Sequence, residues 1–131
     1  MLFINEEHKE FYYLNRAISI NDVYSNPVIY LLGLTDDTRN HFNQIYDINN
    51  NEIHLEQLKQ GWQTGTSSKI TRLAFNLFNG MVFDSEDDFD NDKFSSKYAV
   101  DKIFCCGFAP FFFEAIKLRY PEYCTNRGIK D

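Results

Sequence analysis

Six carboxylates fall within nine consecutive positions, at Asp84, Glu86, Asp87, Asp88, Asp90 and Asp92, inside the stretch FDSEDDFDNDKF over residues 83–94. Oxygen ligands at that density suit a hard cation, and Asp88, Asp90 and Asp92 stand at positions one, three and five of an EF-hand loop. The pattern then fails. The sixth position is Lys93, where the sharp turn needs Gly, and the twelfth is Ala99, where a bidentate Glu belongs. Like charges so close together repel and cannot be buried unpaired, so the run reads as a solvated inter-helix loop over residues 84–92. A row of carboxylates also imitates a row of phosphates. The functional expectation is that these six residues occupy a basic groove on a partner protein.

A second candidate lies in GWQTGTSSKITR, where Thr66, Ser67 and Lys69 stand at the start of a helix whose free N–H groups can hold an anion. The segment lacks the G-x-x-x-x-G-K-[ST] spacing of a Walker A loop. The competing reading is that Thr64, Thr66 or Ser67 caps the helix and Trp62 anchors the loop in the core. Cys105 or Cys106 with His41 or His54 would make a nucleophile and a base. Both cysteines, however, lie in the apolar stretch IFCCGFAPFFF, where a thiol is commonly buried and inert. His8, His41 and His54 are far apart and form no H-x-x-x-H, and no C-x-x-C exists, so zinc has no signature either. The expectation is a protein with no catalytic residue, no metal and no cofactor.

At 131 residues, with 44% hydrophobic and 17% aromatic content, the chain has material for one well-filled core. Its net charge of −6 argues against a general nucleic-acid binder, which needs Lys and Arg against phosphates. The excess is local. Outside the run, 13 acids balance 13 Lys and Arg. The start, MLFINEEHKEF, has none of the features of a signal peptide, and the longest apolar stretch is interrupted by Gly107 and Pro110 and is too short to span a bilayer. A reducing cytoplasm is expected, with no membrane segment.

Helical signals recur along the chain. Asn5 caps a first helix with Glu6 and Glu7 in its first turn and Phe11, Leu14 and Ile18 on one face. Asn21 or Asp22 caps a second, with Val28, Leu31 and Leu32 inward, Pro27 limiting its start and Gly33 closing it. TDDTRNHFNQIY predicts a third helix capped by Thr35; DINNNEI predicts a turn; Leu55, Leu58 and Trp62 predict a short helix. The clearest helix is SSKITRLAFNLFNG, with a Ser cap, an Ile70, Leu73, Ala74, Leu77, Phe78 stripe and Gly80 after its end. KYAVDKIFCC and PFFFEAIKLRY complete the set, the latter with Pro110 in its first turn and an end before Pro121. Phe111, Phe112 and Phe113 on one helix must point three ways, so at least one approaches the surface or a neighbouring chain. No strand alternation is convincing. The predicted architecture is all-α: a compact single domain over residues 1–131, five to seven short helices, the helix over 68–79 near its centre, with Ile70, Leu73, Leu77 and Trp62 mostly buried.

GWQTGTSSKITRLAFNLFNG, YAVDKIFCCGFAPFFFEAIKLRYPEY and the opening FINEEHKEF resemble recurring segments of a small uncharacterised family encoded on integrative conjugative elements and prophages of Gram-positive bacteria. The resemblance spans nearly the whole chain and rests on Trp62, Gly65, Thr66, Thr71, Arg72, Phe75 and Asn76, then Tyr98, Asp101, Cys105 and Cys106. It implies a setting rather than a chemistry: an accessory protein of a mobile element, non-enzymatic, that inhibits a host defence protein of the restriction or CRISPR type through protein contacts. The alternatives are a small structural or regulatory homo-oligomer of the element, for which the C-terminal aromatic cluster allows a homodimer, and an enzyme of unrecognised type.

Overall fold

The computed structural model describes residues 1–85, 87 and 96–125. Helix α1, Glu6–Ile18, starts where Asn5 accepts a hydrogen bond from the His8 N–H, with two acids in the first turn to complement the helix dipole. Its inward face is set by His8, Phe11 and Tyr12. Leu14 and Ile18, expected to point inward, are 70% and 65% exposed. The i, i+3, i+7 apolar pattern lies one strip round the helix from the contact face, because a histidine that helps define that face scores as polar.

Helix α2, Ser25–Leu32, is apolar all round, and every residue from Pro27 to Leu32 is buried. It packs against α1, against α5 (Gly65–Asn79) and against α7 (Ala109–Arg119), so it shares the centre with α5 rather than leaving it to α5 alone. Asp22 and Ser25 exchange hydrogen bonds just before it, Ser25 N–H to Asp22 Oδ1 at 2.7 Å and Asp22 N–H to Ser25 Oγ at 3.1 Å. Pro27 falls in the first turn, where its missing N–H costs nothing. Gly33 ends the helix with φ −80°, so it is not there for a left-handed turn. A Cβ at Gly33 would sit 2.7 Å from Phe11 Cδ1 and 2.9 Å from His8 Cδ2, so α1 crosses the end of α2 where Gly33 leaves room for its rings.

The third predicted helix is divided. Thr35 caps α3, Asp36–Asn40, and His41 leaves helical geometry before α4, Phe42–Ile45. Arg39 ties this segment down through the Gly33 carbonyl at 2.6 Å, Glu7 at 3.1 Å and Asp36. The following turn makes a small ladder that strand patterning missed, β1 (Tyr46–Asp47) antiparallel to β2 (Glu52–Ile53), with Tyr46 opposite Ile53. Asp47 Oδ1 accepts from the N–H groups of Asn49 and Asn50, and Asn51 takes φ +56°, conformations that Asn and Asp adopt readily. A 3₁₀ turn over Leu55–Lys59 leads to α5.

Helix α5 begins earlier than its Ser-cap reading, at Gly65, because Thr64 and Ser67 form a reciprocal capping box. It ends on Gly80 at φ +77°, whose N–H bonds to the Asn76 carbonyl at 2.7 Å. Ile70, Leu73 and Leu77 are buried as expected, while Trp62 is half-buried, its ring stacked on His41 with centroids 4.0 Å apart. After a 3₁₀ turn at Ser96–Tyr98, α6 (Val100–Ile103) is short, and α7 carries Pro110 in its first turn and ends before Pro121. Phe112 is fully buried, Phe111 half-buried and Phe113 is 56% exposed, the three-way split that their spacing requires. Arg119 closes the packing by donating Nε–H to the Leu77 carbonyl at 2.8 Å while stacking over Tyr24. Among the described residues the fold is all-α apart from that one small ladder, and no helix is long and apolar enough to cross a membrane.

Candidate functional site

An open cleft of about 450 Å³ lies where the 3₁₀ turn after β2 faces the start of the acidic run. Ile53 and Leu55 give it an apolar wall; Glu56, Lys59, Asp84, Ser85 and Asp87 give it charge and hydrogen-bonding capacity. Of its ionisable lining groups, three are acids and one is a base.

Asp84, expected in a solvated loop, is instead a structural anchor. Its carboxylate accepts two hydrogen bonds from Arg72, Nε at 3.0 Å and Nη2 at 3.1 Å, and Lys97 Nζ stands 3.6 Å away. Both members of the Arg72 pair are nearly out of solvent, at 15% and 14% side-chain exposure. Burial alone would push the Asp84 carboxyl up; the hydrogen bonds and charge of Arg72, with help from Tyr98 and Lys97, carry it below the ordinary carboxylate range. Tyr98 reports the same environment, its hydroxyl pushed well up by burial first and by Asp84 second, and it donates to the Phe83 carbonyl at 3.3 Å. The first carboxylate of the acidic run is therefore fixed to the body of the protein. Asp87 is exposed and its backbone is helical rather than loop-like. Glu86, Asp88, Asp90 and Asp92 lie outside the described residues.

Of the three residues expected to bind an anion, Ser67 and Lys69 have other engagements. Ser67 is buried, accepting from the Thr64 N–H at 2.7 Å and donating to Gln63 Oε1 at 2.6 Å. Lys69 reaches away from the first turn to Cys105, with Nζ 3.4 Å from both the carbonyl oxygen and Sγ. Thr66 is half-buried. Around them, Gln63 donates to the Gln57 carbonyl and to Thr71, so the GWQTGTSS loop is held by its own polar side chains.

Two assemblies were invisible to sequence reasoning. His8 is fully buried; its Nδ1 accepts from the Ile4 N–H at 3.2 Å and its Nε2–H donates to the Tyr30 carbonyl at 2.7 Å. Burial holds this imidazole neutral, with its pKa lowered to about 4 against a favourable bond to Tyr30. Tyr30 in turn donates its hydroxyl to the Leu2 carbonyl at 2.6 Å, so the first residues are strapped over α1 and α2. The other is the Lys69 and Cys105 pair. Cys105 is exposed and Cys106 half-buried, where the apolar stretch suggested buried thiols, because α6 is short and the chain turns outward after Ile103. His41 is occupied with Trp62 and the Asp37 carbonyl, and His54 bonds the Gln44 carbonyl. Among the described residues no group of three or more His, Cys, Asp or Glu side chains is arranged to hold a metal ion.

The signature residues Thr71, Arg72 and Asn76 each make a structural bond: Thr71 Oγ1 to the Ser67 carbonyl, Arg72 to Asp84, and Asn76 Nδ2 to the Met81 carbonyl. No curated protein and no solved structure matches the chain. A family model matches residues 1–131, and the chain belongs to that family, the family of unknown function DUF6075.

Proposed function

We propose that this chain is a non-enzymatic accessory protein of integrative conjugative elements or prophages of Gram-positive bacteria, acting in the cytoplasm, where it binds and inhibits a host defence protein through a basic surface of that protein. The observation that carries the reading is the union of the acidic run with the cleft. Asp84 is pinned by Arg72, while Asp87 and Glu56 are exposed beside the apolar wall of Ile53 and Leu55. A Lys or Arg side chain from a partner fits such a surface, its methylene stem along the wall and its charge among the carboxylates. The local acidity supports steering toward a surface that otherwise holds nucleic acid.

The test is made in cells. A host carrying an active restriction or CRISPR system is challenged with a targeted phage or plasmid, with and without this protein expressed. The reading expects expression to raise plating or transformation by orders of magnitude against at least one system. Unchanged efficiency against every system of the natural host range would contradict it.

A second reading, a homo-oligomer of the element, is favoured by one surface. Phe113, 56% exposed, borders an apolar groove of about 330 Å³ that includes Leu73, Ile103, Phe104 and Ile116. Sedimentation of the purified chain across micromolar concentrations distinguishes the readings: a stable dimer broken by Phe113→Ser supports the second.

A further inference from the structure

Lys69 and Cys105 are 36 positions apart in sequence, yet the fold brings the ammonium of one to 3.4 Å from the sulfur of the other at the surface. Neither group is used by the acidic cleft. The sulfur's remaining described contact is with the backbone carbonyl of Lys102 at 3.4 Å, so Lys69 supplies the charge described beside it. The other thiols are placed differently: Cys106 is half-buried with Sγ turned to the Ile103 carbonyl, and Cys124 is exposed beside the 3₁₀ turn that carries Glu122. Among the described residues, Cys105 alone of the three combines access with a cation at bonding distance.

We infer that Cys105 is a modification site for thiol–disulfide exchange with low-molecular-weight disulfides that carry carboxylates, and that Lys69 is its positioning residue. In the step, the Cys105 sulfur, having lost its proton to solvent, attacks one sulfur of the small disulfide. A new bond forms between them, the original S–S bond breaks, and the departing thiolate takes the electron pair and then a proton from water. No oxidant other than the disulfide is needed. Lys69 holds a carboxylate of the reagent beside the reacting sulfur and faces the negative charge spread over the three sulfurs as they exchange. Its contact with the Cys105 carbonyl fixes the amine relative to the backbone that carries the thiol, so the selectivity resides in a geometry and not in exposure alone.

The full-length, reduced protein is incubated separately with glutathione disulfide, which is anionic, and with cystamine, which is cationic, and the modified cysteines are followed by peptide mass spectrometry. Cys105 is expected to be modified first by glutathione disulfide and to prefer it over cystamine several-fold relative to Cys124. Lys69→Met should abolish that preference at Cys105 and leave Cys124 unchanged, while Lys69→Arg should restore it; circular dichroism checks that both variants fold. Faster modification of Cys124 than of Cys105 by the anionic reagent, or a charge preference at Cys105 that survives Lys69→Met, would overturn the assignment.

Discussion

Arg72 holds Asp84 in a two-bond fork, Nε to Oδ1 at 3.0 Å and Nη2 to Oδ2 at 3.1 Å, so the first carboxylate of the acidic run belongs to the core's edge and not to the solvent. Charge-assisted, paired bonds of this kind are worth more than exposed ion pairs. Asp84→Asn should therefore cost about 1.5–3 kcal/mol in urea unfolding, whereas Glu10→Gln, at an exposed position of α1, should change stability by no more than about 0.5 kcal/mol. Because the folded carboxyl is held below its ordinary value, this stabilisation is present above the unfolded pKa near 3.8 and is lost as pH falls through the lower folded value. Equal costs for the two variants would remove the distinction between anchor and surface charge.

His8 makes a separate prediction with the opposite chemistry. The unfolded chain binds a proton at this imidazole near pH 6.5, the folded chain only near 4, so folding stability is complete above 6.5 and declines as pH falls between them. The limiting slope is about 1.4 kcal/mol per pH unit. Urea midpoints measured at pH 7.0 and at about pH 5.5, above the ordinary carboxylate range, should differ in the parent protein; in His8→Gln most of that difference should vanish, with lower stability throughout.

Gly33→Ala tests the crossing of α1 over α2. Its Cβ would meet Phe11 and His8 at 2.7 Å and 2.9 Å, both rings being fixed by their own packing, so overpacking should cost about 1–3 kcal/mol. Gly61→Ala, where a Cβ meets nothing within 4 Å, is the control. Thermal unfolding of the two variants should separate clearly.

The shared core of α2 and α5 should respond as close-packed interiors do. Leu73→Ala, at 4% exposure, should destabilise by about 2–5 kcal/mol, and Leu31→Ala, fully buried in α2, by a similar amount. Leu14→Ala on the exposed side of α1 should be nearly neutral by the same denaturant measurement.

Much of the helical order was legible because it depends on neighbours in sequence: Asn5, Thr35 and Gly80 act at helix ends as their chemistry dictates, and Pro110 and Pro121 bracket α7. What sequence reading missed depends on residues meeting across the fold. His8 reads as a lone polar residue until the Tyr30 carbonyl is seen above it, and Asp84 reads as one acid among six until Arg72, twelve positions earlier, is found facing it. Cys105 was misjudged for a related reason, since an apolar stretch does not reveal that its helix stops at Ile103. Of the six acids expected to contact a partner, the described ones divide between Asp84, which anchors, and Asp87, which is exposed.

That division defines the most direct test of the proposed function. Asp87, Asp88 and Asp90 are changed together to Asn, Asp84 is left intact, and the variant is compared with the parent for relief of host defence in the plating assay. Circular dichroism and the urea midpoint are measured alongside. The account predicts an unchanged fold and loss of most of the protection, because the variant removes the charge that steers a basic surface while keeping the anchor that holds the segment to the body. Protection equal to the parent's from an equally stable variant would contradict it.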